Sequence, residues 1–333
     1  MQKYLIEILE CPKCHGELDW KITEQTTDRV VTAEVQCTAC SAVYSIQNEI
    51  GIFLTEELQR NDLWEQVARL EQYLEQNPGL EEKLMDVPLD TLGPVDQYFR
   101  GSLHKARGES EAARAAFSKS HKAVYSAETN RCIDSQMDCV INEVSQSDKL
   151  IVDIASGECE LVKRMLNDLP NSVVATDFSP TVLERDRENF IELGLYNRVS
   201  LLAFDARQTP FKTDSISLLT THSGLQNIQD PGNLLRELYR IVNGMFFAIS
   251  SFYPESDLRN SEVINEAGLS EMCFRDRLIS HFRNANWEVE VKNLCSVKTA
   301  ASPTGVVLEG AKVDLLPAYE TNLDYCVLNA TNA

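Results

Sequence analysis

From about residue 148 onward the chain alternates short apolar runs with amphipathic stretches. Lys149–Ile154, Ser172–Asp177, Val199–Phe204, Ser215–Thr221 and Gly244–Ser251 are dominated by Val, Ile, Leu, Ala and Phe. They show little in–out alternation, the mark of strands buried on both faces of a parallel sheet. Helical spacing follows the first of them over about 158–169. Ser179-Pro180 and Asp230-Pro231 each set a capping side chain before a proline at the first helical position, the usual way to open a helix. A helix over about 271–284, a strand from Trp287 to Val291 and a last strand from Asp324 to Asn329 complete the series. Repeated strand–helix units of this length predict an α/β fold with a Rossmann-like, doubly wound, seven-stranded sheet.

The pattern before residue 148 differs. Leu63–Leu70 has apolar residues at helical spacing, Asn77-Pro78-Gly79 and Leu92-Gly93-Pro94 are breaks, and 103–125 reads as a helical hairpin turning at Arg107-Gly108-Glu109. Residues 1–55 hold few large apolar side chains. Arg29–Val35 reads as a strand, and 46–54 as a short strand pair turning at Gly51. A segment so small needs a covalent or metal staple. The division is therefore 1–55, a small stapled unit; 56–147, a helical linker or cap; and 148–333, the α/β domain.

The staple is visible. Of ten cysteines, Cys11 and Cys14 form one C-x2-C pair, and Cys37 and Cys40 another. Each pair sits on a tight turn, so four thiolates can complete a tetrahedron about Zn2+ with no open position, the arrangement of a structural zinc ribbon. His15 stands beside the first pair as a bystander or an alternative ligand. The other six cysteines, among them Cys132 and Cys295, lack spacing and read as reduced thiols.

Composition narrows the function classes. The 333 residues carry a net charge of −20, and acids outnumber bases in each of the three segments. Proteins that grip a phosphate backbone show a positive face, so nucleic acid is disfavoured as a substrate of this chain alone. No apolar run reaches the roughly 18 residues of a membrane span. The first residues form neither a signal nor a transit peptide, and a cytoplasmic protein is expected.

The candidate chemistry lies at the strand ends. Asp153-Ile154-Ala155-Ser156-Gly157-Glu158-Cys159 follows the first strand and Ala175-Thr176-Asp177-Phe178-Ser179-Pro180 ends the second. Phe204-Asp205-Ala206-Arg207 ends the third and Thr220-Thr221-His222-Ser223-Gly224 the fourth. This series resembles the class I methyltransferases over about 148–333. The resemblance implies S-adenosylmethionine as cofactor, with Asp153, Ala155, Gly157 and Cys159 forming the turn under its methionine part. Asp177 would accept from the ribose hydroxyls, Phe178 would offer the adenine an apolar face, and Asp205 with the Ala206 amide would meet the adenine edge. Ala155 and Cys159 stand where the family carries glycines, and Cys159 is expected to narrow the pocket. Each acid has a plainer reading as a helix cap or solvated turn. His222 is the candidate general base, with cofactor contact or simple packing as alternatives. Tyr125 and Arg131 are candidates for the cofactor carboxylate.

Residues 4–18, 37–40 and 46–54 together resemble the small zinc-ribbon proteins that activate methyltransferases of tRNA, rRNA and release factors. That likeness implies a methyltransferase context and a possible protein partner at the ribbon. Together the two resemblances imply an enzyme that methylates a small molecule or a protein or peptide side chain. The alternatives are a non-catalytic binding or scaffold protein that keeps the fold, and an RNA-modifying methyltransferase.

Overall fold

The computed structural model describes residues 1–55, 73–313 and 317–332; the helix expected over Leu63–Leu70 lies outside them. Seven strands of the α/β part are β5 (Ile151–Asp153), β6 (Val173–Asp177), β7 (Val199–Ala203), β8 (Ile216–His222), β9 (Val242–Phe252), β10 (Trp287–Thr299) and β11 (Thr321–Asn332). They do not stand alone. The N-terminal segment supplies β1 (Leu18–Gln25), β2 (Val30–Cys37), β3 (Val43–Gln47) and β4 (Ile50–Ile52) to the same sheet. Among the described residues the sheet therefore has 11 strands in the order β1-β2-β3-β4-β7-β6-β5-β8-β9-β11-β10, rather than the seven expected. The chain direction of assembly reverses at β5, which has β6 on one side and β8 on the other.

The extra strands join through one short seam. β4 runs parallel to β7, with Ile50 opposite Leu201, Gly51 opposite Leu202 and Ile52 opposite Ala203, and the Phe53 amide donates to the Ala203 carbonyl at 2.8 Å. Gly51 is thus inside a strand and not at a turn; the turn falls at Asn48 and Glu49, both at positive φ. A Cβ on Gly51 would lie 2.5 Å from Leu202 Cδ2 and 3.0 Å from the Phe53 ring. Side chains packed over the strand, and not a turn, are what leave room only for glycine here. Gly51→Val is expected to cost about 1–3 kcal/mol by overpacking, read as a lowered urea midpoint. An unchanged midpoint would mean that the seam tolerates a side chain.

Packing continues across the seam. Met1, Leu5, Leu9, Val35 and Phe53 from the N-terminal segment share one buried cluster with Val152, Leu202, Phe204 and Phe211. The same layer holds α7 (Pro231–Ile241) and α10 (Arg275–Asn284). The opposite face of the sheet is covered by α4 (Ala127–Val144), α5 (Glu160–Asp168) and α6 (Pro180–Glu192). Polar contacts reinforce the junction: Arg29, nearly buried, donates to the carbonyls of Tyr196 and Val199 at 2.5 and 2.9 Å and pairs with Glu49 at 3.2 Å.

The caps expected at Ser179 and Asp230 are present, each side chain accepting from the amide three residues on. The hairpin turns at Gly108 as expected, but its first helix begins earlier, giving α2 (Pro94–Ala106) and α3 (Ser110–Val124) after α1 (Leu80–Asp86). Asp96, fully buried on α2, accepts from the amides of Val306, Val307 and Leu308 at 2.9–3.1 Å. It ties the hairpin to the excursion between β10 and β11. The final expected helix splits into α9 (Ser270–Cys273) and α10, and α8 (Leu258–Glu266) precedes it. Strand β10 runs well past Val291, because a bulge at Asn293, with φ of 52°, breaks the alternation that would have revealed its length. Cys132 and Cys295, expected as reduced thiols, are joined in a disulfide between α4 and β10, 163 residues apart in sequence. Among the described residues no helix is long and apolar enough to cross a membrane.

Candidate functional site

The four expected clusters line up along the carboxyl edge of four adjacent strands, in the order β7, β6, β5, β8. After β5 the chain turns sharply: Ala155, Gly157 and Cys159 all take positive φ, at 52°, 53° and 58°. The two non-glycine residues of the turn thus occupy left-handed backbone, which costs an L-residue roughly 1–2 kcal/mol. Ser156 holds this loop in place, its amide donating to the Thr176 carbonyl at 2.7 Å and its hydroxyl to the Asp153 carbonyl at 3.0 Å. Cys159 is expected to crowd the pocket, but its thiol is buried beside Leu161, Met165 and Leu183 and donates to Asp186 at 3.4 Å. What it presents at the turn is backbone.

Asp153 is 1% exposed and accepts from the Thr220 hydroxyl at 2.6 Å. Burial pushes its carboxyl up to about 7, because the charged form loses its water. Asp177 caps β6 and reaches back across the turn: one oxygen accepts from the Gly157 amide at 3.2 Å and the other from the Ser179 amide at 2.9 Å. Phe178 beside it is half-buried. Arg185, on α6, donates to the Gly157 carbonyl at 3.1 Å; it closes the far side of the turn and was not anticipated from sequence, since nothing in a helix pattern marks it.

Asp205 follows β7 and is nearly buried. Its carboxylate is held by Arg207 through the guanidinium at 2.9 and 2.7 Å and through the Arg207 amide at 2.8 Å. A carboxylate has about four acceptor sites, so this clamp orients Asp205 and leaves one acceptor position. Ala206 lies next to it at 8% exposure. His222 ends β8, paired with Ile249 of β9. Burial holds its imidazole below the usual histidine range, which favours the neutral form of the ring. Gly224 packs on the turn: a Cβ there would lie 2.8 Å from the Ala155 Cβ and 2.6 Å from the Thr221 hydroxyl. Arg131 is exposed and Tyr125 half-buried.

The four paired cysteines form a second centre. Their sulfurs all lie within 4.8 Å of one another, with Cys11–Cys40 at 3.7 Å and Cys14–Cys37 at 3.5 Å. Thiolates held tetrahedrally at about 2.3 Å from zinc lie about 3.8 Å apart, so the donor set fits a zinc ion. The two turns repeat each other. In each, the first cysteine's amide donates to a carbonyl five residues on, Cys11 to Gly16 and Cys37 to Ala42. In each, a residue at positive φ follows the second cysteine, His15 and Ser41. His15 Nδ1 bonds Glu10 at 2.8 Å, so that ring nitrogen is engaged away from the sulfurs.

Residues 152–247 match the family model described as a methyltransferase domain, and residues 2–49 match that of Trm112p-like protein. One relative is the ubiquinone/menaquinone biosynthesis C-methyltransferase UbiE of Pseudoalteromonas translucida, 28% identical over 112 residues, 32% of this chain and 45% of that protein. Another is the demethylmenaquinone methyltransferase of Listeria monocytogenes, 31% identical over 108 residues, 31% of this chain and 45% of that protein. The chain thus spans about half the length of these curated relatives. Among solved structures, a complex between the Haloferax volcanii Trm112 methyltransferase activator and a methyltransferase overlays with a TM-score of 0.43 at 15% identity, covering 59% of this chain and 88% of that one. Residues 152–247 therefore form a methyltransferase domain, and residues 2–49, ahead of it in the same chain, a Trm112p-like domain.

Proposed function

We propose that the chain is an S-adenosylmethionine-dependent methyltransferase whose acceptor is a small molecule or a protein or peptide side chain. One observation carries the reading: Asp205, Asp177, the Gly157 turn and His222 stand side by side on β7, β6, β5 and β8, at the point where strand order reverses. Ligands of open α/β sheets bind in that crevice. Three inter-strand spacings span on the order of 14 Å, room for a nucleoside at the Asp177–Asp205 end and its sulfonium at the His222 end. Methyl transfer from a sulfonium is a displacement in which positioning supplies most of the rate. Asp177 holds the ribose, the backbone of 155–159 cradles the amino-acid arm, and neutral His222 accepts the proton of an acceptor that must lose one.

In the same reading Cys11, Cys14, Cys37 and Cys40 hold a structural Zn2+, and the ribbon's strand β4 is paired with this chain's own β7. Protein partners and substrate then approach elsewhere.

Calorimetry with S-adenosylhomocysteine tests the cofactor half. Micromolar binding is expected, weakened between about 10- and 100-fold in Asp177→Ala, the scale of hydrogen bonds to a charged group. Absence of binding to the metal-loaded chain would leave the fold without this activity.

A further inference from the structure

Between the tetracysteine cluster and the loop carrying Asp205 runs a continuous set of charged contacts that neither centre needs for its own geometry. Glu10 directly precedes Cys11. Its amide donates to the Pro210 carbonyl at 2.8 Å, and its carboxylate accepts from His15 and from Arg240 Nη1, both at 2.8 Å. Arg240, at the end of α7, also donates to the Phe211 carbonyl at 2.8 Å and grips Glu237 through Nε at 2.9 Å and Nη2 at 2.7 Å. Glu237 in turn accepts from the amide and hydroxyl of Thr209 at 2.9 and 2.7 Å. The side chains of Glu10, Glu237 and Arg240 are only 12%, 11% and 21% exposed. In so dry a setting charge-assisted bonds are short and directional.

We propose that Arg240 is a positioning residue that couples the tetracysteine site to the cofactor loop, so that holding the metal and binding the cofactor reinforce each other; this rests on the reading of Asp205–Phe211 as part of the cofactor site. Arg240 is the one side chain of the set that touches both ends. Through Glu10 it feels the turn bearing Cys11 and Cys14. Through Glu237 and the Phe211 carbonyl it fixes Thr209 and Phe211, four and six residues beyond Asp205. A shift of either end displaces a partner of the same guanidinium, and coupling of this kind is reciprocal by thermodynamic necessity.

The test uses the full-length chain with its metal in place. Replacing zinc by Co2+ makes the thiolate centre visible in absorption. Adding S-adenosylhomocysteine is expected to shift the cobalt bands in the wild type and to leave them unmoved in Arg240→Gln. Calorimetry on zinc-loaded protein is expected to give about tenfold weaker binding for Glu10→Gln and for Arg240→Gln, and no further loss in the double variant. Bands that stay still in the wild type, or losses that simply add, overturn the coupling and leave the cofactor reading intact. No binding by wild type at all removes both. Circular dichroism of each variant separates a lost fold from a lost link, and Arg240→Lys, which keeps the charge but not the fork, supplies a second variant expected to stay folded and to show a reduced band shift.

Discussion

Cys37→Ser will unfold the methyltransferase domain together with the ribbon, in one transition. The serine removes one of the four thiols proposed to hold zinc, from a cluster whose sulfurs lie within 4.8 Å of one another, and structural zinc contributes on the order of 10 kcal/mol to the folding of a small domain. A loss even partly that size is comparable with the whole stability of a typical domain, about 5–15 kcal/mol. It spreads because the ribbon has no core of its own: Phe53, Leu5 and Val35 pack in the same cluster as Leu202, Phe204 and Phe211. Hydrogen exchange reads this directly. Amides of β2 and of β8 should lose protection together in the variant, and together when zinc is stripped from wild type. Loss confined to β2, with β8 unaffected, would mean that the seam divides two independent folding units.

The second large effect is one of pH. Asp153 is fully enclosed, and its carboxyl is raised to about 7 from an unfolded value near 3.9. Between those values the folded chain keeps a proton that the unfolded chain has released. Stability therefore falls as pH rises from about 4 to about 7, and above 7 the full cost of burying the charge is present. Asp153→Asn removes that titration while keeping an acceptor for the Thr220 hydroxyl. At pH 8 the variant should be more stable than wild type by a few kcal/mol, at the scale of about 1.4 kcal/mol per unit, less any cost of an unpartnered amide. At pH 4 the advantage should vanish. Urea melts at pH 5 and pH 8 check it, and equal slopes for the two proteins would rule it out. A group that costs stability at working pH and sits at the glycine turn is where function and stability are expected to part.

Features set by neighbours in sequence were legible in sequence. The two cysteine turns, the caps at Ser179 and Asp230, and the acids ending β6 and β7 all depend on local spacing, and each occupies its expected strand end or turn. Features decided by tertiary approach were not. Gly51 resembles a turn residue because its real partner, Leu202, is 151 residues away. Strand count failed for the same reason: β4 has three residues, and only β7 makes it part of the sheet. Cys159 was placed correctly in the turn but its direction was not deducible, because a left-handed backbone sends the side chain into the layer of α5 and α6. Arg185, Arg240 and Glu237 left no signal at all, as single charges on helices ordinarily face water.

The three-residue seam between β4 and β7 also changes what dilution can do. Two chains that meet along so short an edge separate when their concentration falls below the dissociation constant. Here both strands belong to one chain, so their pairing is intramolecular and is governed by an effective concentration that dilution does not change. Pairing is then the same in one copy per cell or a thousand, the ratio of the two domains is always one, and a competing partner for the ribbon must overcome that effective concentration.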